Sequence, residues 1–237
     1  MAGHNKWSQI KHKKAKEDSK RGAAFTKLIR EITVVAREGG SDPASNARLR
    51  ALLEKGREIN MPIENAQRAI KRGTGELPGT IYEECVYEGY GPNGIAVIIE
   101  TLTDNKNRTV ADLRHIFVKH AGNLAESGAV GWMFEKKGVV RAAGTISEDN
   151  LLEKLIDFDV DDVTCQEALC NITCNPKAIT SIKNAATDAG LKVESAEIEW
   201  VPKDAVTIPD DKVNKALALL SALQDHDDVK NVYTNLA

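Results

Sequence analysis

Lysine and arginine crowd the first third of the chain. Residues 1–72 hold 17 of them against eight acidic residues, a net of +9; the 237-residue chain totals −3, so residues 73–237 carry −12. Cationic side chains at that density bind phosphates by displacing counterions, while an acidic remainder repels the same partner. The candidate nucleic-acid-binding residues are Lys6, Trp7, Lys11, His12, Lys13, Lys14, Lys16, Lys20, Arg21, Lys27 and Arg30, joined by Arg68, Lys71 and Arg72 further on. Trp7 has two readings: an indole flanked by lysines stacks on an exposed base, or it pins this segment onto neighbouring helices. Lys106 and Arg108 form a second candidate patch within Asp104-Asn105-Lys106-Asn107-Arg108-Thr109. They either touch phosphate beside the free amides of a helix start or belong to a plain cap made by Asp104 or Asn107.

Other chemistry finds little support. Gly89-Tyr90-Gly91-Pro92-Asn93-Gly94 matches a dinucleotide pattern, but a strand follows it instead of a helix and Pro92 lacks an amide donor, so it reads as a hairpin loop. The acidic run Asp157–Asp162 fails as a calcium loop because its sixth and twelfth positions are Asp162 and Ala168. His4, His12, His115, His120 and His226 accompany no nucleophile at a recognised spacing. Cys165, Cys170 and Cys174 show no paired C-x-x-C and no nearby histidine. They are expected as reduced thiols in a reducing cytosol, with Cys85. The residues point away from an enzyme, a metal and an organic cofactor.

The elements that must position the cations follow from periodicity. Residues 1–22 read as a basic arm. Phe25, Leu28, Ile29, Ile32 and Val35 then recur at helical spacing up to Gly39-Gly40. Asp42-Pro43 is expected to restart a helix, Asn60-Met61-Pro62 to break it, and Ile63 to Arg72 to form a third. Gly73 to Gly79 reads as a linker. Beyond it the period drops towards two, with strands expected at 84–88, 95–102, 129–134, 139–142, 162–166, 169–174 and 191–200. Helices are expected at 107–120, 148–157 and 177–188, and a final strand–helix–strand from Thr207. The fold class is α+β: a helical domain at 23–76, an α+β domain from 80–134 plus 204–237, and an inserted α+β domain at 135–203. No apolar run reaches the ~18 residues of a membrane span, and the opening residues lack a secretion signal's apolar core, so a cytoplasmic location without membrane contact is expected.

Several of these segments resemble the YebC family. They are Ala2-Gly3-His4-Asn5-Lys6-Trp7, Ile10 to Lys14, Lys20-Arg21-Gly22, Phe25 to Ile32, Tyr87 to Pro92, Thr103 to Thr109, and Gly122 to Gly128 followed by Val130, Trp132 and Phe134. Asn5 and Ala129 depart from it, standing where serine is expected. The resemblance implies three domains, one of them discontinuous, and a cytoplasmic, non-enzymatic regulator of gene expression. Bacterial members are described as probable transcriptional regulators that bind DNA. Other members, among them a mitochondrial translational activator of cytochrome oxidase, act on the ribosome, where relief of stalling at proline runs has been proposed. Two partners therefore stay open, DNA and ribosomal RNA. In the first, Lys11, Lys13, Lys14, Lys20 and Arg21 grip the backbone while helix 63–72 offers Gln67, Arg68, Lys71 and Arg72 to a groove. In the second, the arm lies on rRNA. A small-ligand enzyme using a cleft between the α+β domains is the third class. The sequence does not specify an oligomeric state.

Overall fold

Three helices arise where apolar residues recur every third or fourth position. The computed structural model describes Trp7, residues 21–166 and residues 168–237. Helices α1 (Arg21–Gly39), α2 (Ala47–Glu58) and α3 (Ile63–Gly73) bury Leu28, Ile32, Val35, Leu49, Met61, Ala66 and Ala69 in a small core. Helix α2 begins later than Asp42-Pro43 suggests, because Asn46 is its cap. The Asn46 carbonyl accepts from the Leu49 amide at 3.0 Å, and its amide group donates to the Val35 and Gly40 carbonyls. Asparagine can cap one helix and tie down the end of another because it both accepts and donates; a carboxylate cannot. Asp42 instead closes a local turn onto the Ala44 amide. Helix α3 lies close on α1: a Cβ at Gly73 would collide with the Thr33 carbonyl.

Beyond the linker the chain forms two antiparallel four-stranded sheets. In sheet A, β1 (Glu83–Tyr90), β2 (Ala96–Thr103), β3 (Asn123–Ala125) and β8 (Val229–Thr234) lie in the order β3-β1-β2-β8. Helices α4 (Lys106–Lys119) and α7 (Asp210–Asp225) cover one face, where Val97 and Ile99 meet Leu113, Phe117, Leu219 and Leu223. Ala96 and Ile98 point the other way, to Phe134 and Tyr233. Strand β2 is thus buried on both faces, which explains its unbroken apolar run.

Sheet B contains β4 (Phe134–Ala143), β5 (Val160–Gln166), β6 (Leu169–Cys174) and β7 (Lys192–Pro202), in the order β5-β6-β4-β7. Helices α5 (Glu148–Leu155) and α6 (Ile179–Asp188) pack Leu151, Leu155, Ile182 and Ala186 against Val140 and Ile172. The chain leaves sheet A after β3, builds sheet B, and returns for β8. The architecture is α+β, with a helical region and two sheet units, sheet A being discontinuous.

Three local expectations need correction. The strand expected at 129–134 does not form: Gly131–Met133 make a single 3-10 turn, Phe134 already opens β4, and the third strand of sheet A is the short segment Asn123–Ala125. Residue 207 starts no strand; Val206 and Leu236 make one isolated parallel bridge. Cys165 and Cys170 are not thiols but a disulfide, since the β5–β6 hairpin sets them directly opposite each other; Cys85 and Cys174 are free. The glycine-rich segment is a hairpin joining β1 to β2. A Cβ at Gly89 would sit 2.7 Å from both the Phe117 ring and the Asn123 carbonyl, so this glycine serves packing.

Candidate nucleic-acid interface

Of the arm residues, Lys6, Lys11, His12, Lys13, Lys14, Lys16 and Lys20 lie outside the described residues, and Arg21 opens α1. Trp7 is placed, and its position corrects the stacking reading. The indole is 2% exposed, sits in the core of the sheet A unit with Ile95, Phe117 and Val232, and donates its N–H to the Val232 carbonyl at 3.1 Å. A ring enclosed in this way has no face to offer a base. The indole is seated in the sheet A core and not on the neighbouring helices expected for it.

The bundle's cations divide into committed and uncommitted groups. Lys27 Nζ donates to the Gln224 carbonyl at 2.5 Å, and Arg30 Nη1 donates to the Asp227 carbonyl and the Asp228 carboxylate, both at 2.7 Å. Arg37 donates to the Tyr82 carbonyl, Arg48 pairs with Glu38 and Glu84, and Lys55 pairs with Glu197 of β7. Arg68 folds back onto Glu64 and Asn65 of its own helix. Exposed Arg57, Lys71 and Arg72 have no ion-pair partner among the described residues. Arg57, Lys71 and Arg72 are therefore each a solvent-facing charge of the bundle, whereas Lys27 and Arg30 are engaged by the end of α7 and the segment after it.

Lys106 and Arg108 are also engaged. Asn105, not Asp104 or Asn107, caps α4 by accepting from the Arg108 amide at 3.0 Å. Lys106 pairs with Glu83 at 2.6 Å, and Arg108 with Asp104 at 2.7 Å and Asp228 at 2.9 Å. Asp228, 3% exposed, also accepts from Thr109 at 2.8 Å. Burial alone would raise its carboxyl pKa, but hydrogen bonds from Arg108 and Thr109 and the charges of Arg108 and Arg30 outweigh it and hold the group below its ordinary value.

This three-part architecture matches known proteins throughout. Residues 5–76 match the TACO1/YebC protein N-terminal domain, and residues 82–236 match the TACO1/YebC second and third domain. The chain belongs to the TACO1/YebC family. It is 52% identical over 238 residues to a probable transcriptional regulatory protein of Persephonella marina, covering 99% of this chain and 95% of that one. A probable transcriptional regulatory protein of Desulfotalea psychrophila is 49% identical over 237 residues, with the same coverage. Among solved structures, a conserved hypothetical protein from Aquifex aeolicus is similar at a TM-score of 0.86 and 45% identity, over 98% of this chain and 96% of that one.

Within this TACO1/YebC chain, one feature escaped the sequence reading. The Glu88 carboxylate accepts three backbone N–H groups, from Gly128 at 2.8 Å and from Val130 and Gly131 at 2.7 Å each. Burial would raise its pKa, but these three donors lower it overall. Tyr90 and Trp132 both donate to the Ala129 carbonyl. The fastened turn presents Trp132 at 66% exposure. Because Glu88 lies 40 to 43 residues before the amides it binds, no local signal announces the arrangement. Beside the turn, an open groove of about 710 Å³ runs along β3, lined by Val86, Tyr87, Arg114, Leu124 and Ser127. It lies against sheet A, not in a cleft between the sheets.

Proposed function

We propose that this protein is a cytoplasmic, non-enzymatic regulator of gene expression that binds DNA through its arm and helical bundle. The observation that carries this reading is the charge division. Arg57, Lys71 and Arg72 stand exposed and unpaired among the described residues, on a segment of net +9, while residues 73–237 carry −12. Backbone phosphates are the partner such a surface fits, with the acidic sheet units held away. Lys6, Lys11, Lys13, Lys14, Lys16, Lys20 and Arg21 supply the arm's share of the grip, with His12 among them. The names of the relatives, probable transcriptional regulatory proteins, support the same reading.

Fluorescence anisotropy with a labelled duplex tests it. Neutralising about 6–8 phosphates should make log K fall with log salt at a slope of roughly −5 to −7. Lys71→Glu with Arg72→Glu should weaken binding at least tenfold at low salt and flatten that slope. Replacing Lys11, Lys13 and Lys14 by Glu should do the same without lowering the melting temperature. Affinity unchanged in both variants would remove the cationic front from the account. Strong preference for ribosomal RNA over duplex DNA would move the activity from transcription to translation.

A further inference from the structure

The bundle meets sheet A through polar groups, and among the described residues the apolar clusters of the two units are separate. At this seam α1 sends Lys27 and Arg30 into the α7–β8 turn, where they meet the carbonyls of Gln224 and Asp227 and the Asp228 carboxylate. Three oxygens on a tight turn offer these cations what a phosphate backbone offers. The seam is also incompletely satisfied. Arg30 Nε and Gln224 Oε1 are buried without a hydrogen-bond partner, and the third such side-chain atom among the described residues is Ser195 Oγ. Ser195 lies on β7 two residues before Glu197, which reaches across to Lys55 of the bundle. Buried polar groups ordinarily find partners, so the two unpartnered atoms at the Arg30–Gln224 contact show a seam less completely satisfied than a packed core.

The hub at Asp228 is asymmetric. Arg30 comes from the bundle, whereas Arg108 and Thr109 belong to α4 of the sheet A unit itself. Withdrawing Arg30 therefore leaves Asp228 with a charged partner and a hydroxyl donor, and no bare buried carboxylate results.

We infer that the Lys27–Arg30 face of α1 is a concealed polyanion-binding surface: the α7–β8 turn holds it in the resting protein, and nucleic-acid phosphates replace that turn as the bundle undocks. The inference rests on the bundle being the nucleic-acid-binding part. It adds to that reading a self-masking contact that limits affinity until a long enough polyanion competes for both side chains.

Anisotropy on the full chain, with a 20-base-pair duplex and a single-stranded RNA of equal length, compares the wild type with Asp228→Asn. The weakened latch should bind three- to tenfold tighter, with a steeper salt dependence. Equal or weaker binding by a variant that circular dichroism shows to be folded overturns the inference. Binding by neither protein removes the parent reading and this one together; equal binding by both removes only this one. Should Asp228→Asn fail to fold, hydrogen exchange on the wild type decides. Undocking requires faster exchange in residues 223–229 when duplex is added, whereas simple occupancy of the arm and bundle leaves that segment unchanged or slower, which would also overturn it.

Discussion

Three buried or half-buried carboxylates have opposite effects on stability. Glu88 and Asp228 are held below their ordinary pKa by donors that prefer the charged form. Glu31, at 3.9 Å from Lys230, is raised because burial outweighs the nearby Lys230 and Lys55. A carboxylate depressed in the folded state stabilises fully above its unfolded pKa, and this stabilisation is lost as pH falls through the folded value. Glu88 and Asp228 should therefore stabilise the fold at neutral pH and begin to lose that contribution below about pH 4, where unfolded carboxylates protonate, the loss completing only as pH falls through their lower folded values. A raised pKa has the reverse sign: the charged form of Glu31 costs stability at neutral pH, and protonation on the way down relieves it. In thermal melts at pH 7, Glu88→Gln should cost about 2 kcal/mol, whereas Glu31→Gln should cost nothing measurable or raise the melting temperature. At pH 3 the Glu88→Gln deficit should shrink. A deficit independent of pH would show that shape, and not charge, fixes the Gly128–Gly131 turn.

Among the elements, the turn at 129–134 shows where local pattern misleads. Val130, Trp132 and Phe134 are apolar at every second position, yet only Val130 and Phe134 are buried, and the Glu88 carboxylate takes the Val130 and Gly131 amides a ladder would use. The competing partner is distant in sequence, so periodicity alone cannot find it. The helices of the bundle and the apolar strand β2 were readable because their cause is local spacing. The hairpin after β1 was readable for the same reason. Gly89→Ala should destabilise by about 1–3 kcal/mol through overpacking against Phe117, measured by denaturant unfolding. Tryptophan emission provides a direct check on the turn. Of the three tryptophans, Trp132 is largely exposed, Trp200 half-buried and hydrogen-bonded to Glu100, and Trp7 enclosed, so Trp132→Phe should remove the most acrylamide-quenchable emission and leave a blue-shifted remainder from Trp7 and Trp200. Quenching unchanged by that substitution would place the exposed indole elsewhere.

At the scale of the whole molecule, the charge division was legible in the sequence but the fate of individual cations was not. Lys55, Arg30, Lys106 and Arg108 each meet an acid from a distant part of the chain, namely Glu197, Asp228, Glu83 and again Asp228. Only tertiary pairing decides which charges remain for a partner, leaving Arg57, Lys71 and Arg72 on the described bundle surface. Trp7 is the clearest instance of long reach: a residue from the basic segment completes the sheet A core. Trp7→Ala should destabilise that unit by about 3–5 kcal/mol, as loss of a large buried aromatic does. Hydrogen exchange should show the loss in β1, β2 and β8 and spare β4–β7. A uniform loss would mean that the two sheet units unfold as one.

The bond from the Trp7 indole to Val232 also sets an order of events during synthesis, since 225 positions separate its two ends. At about 5–20 residues per second the indole waits on the order of 10–45 s for its acceptor to be translated. Sheet B has all four strands between Phe134 and Pro202, so it can close while the nascent chain is still growing. In sheet A the apolar strand β2 must keep one side unpaired until β8 arrives, making it the part of the newborn protein most in need of a chaperone.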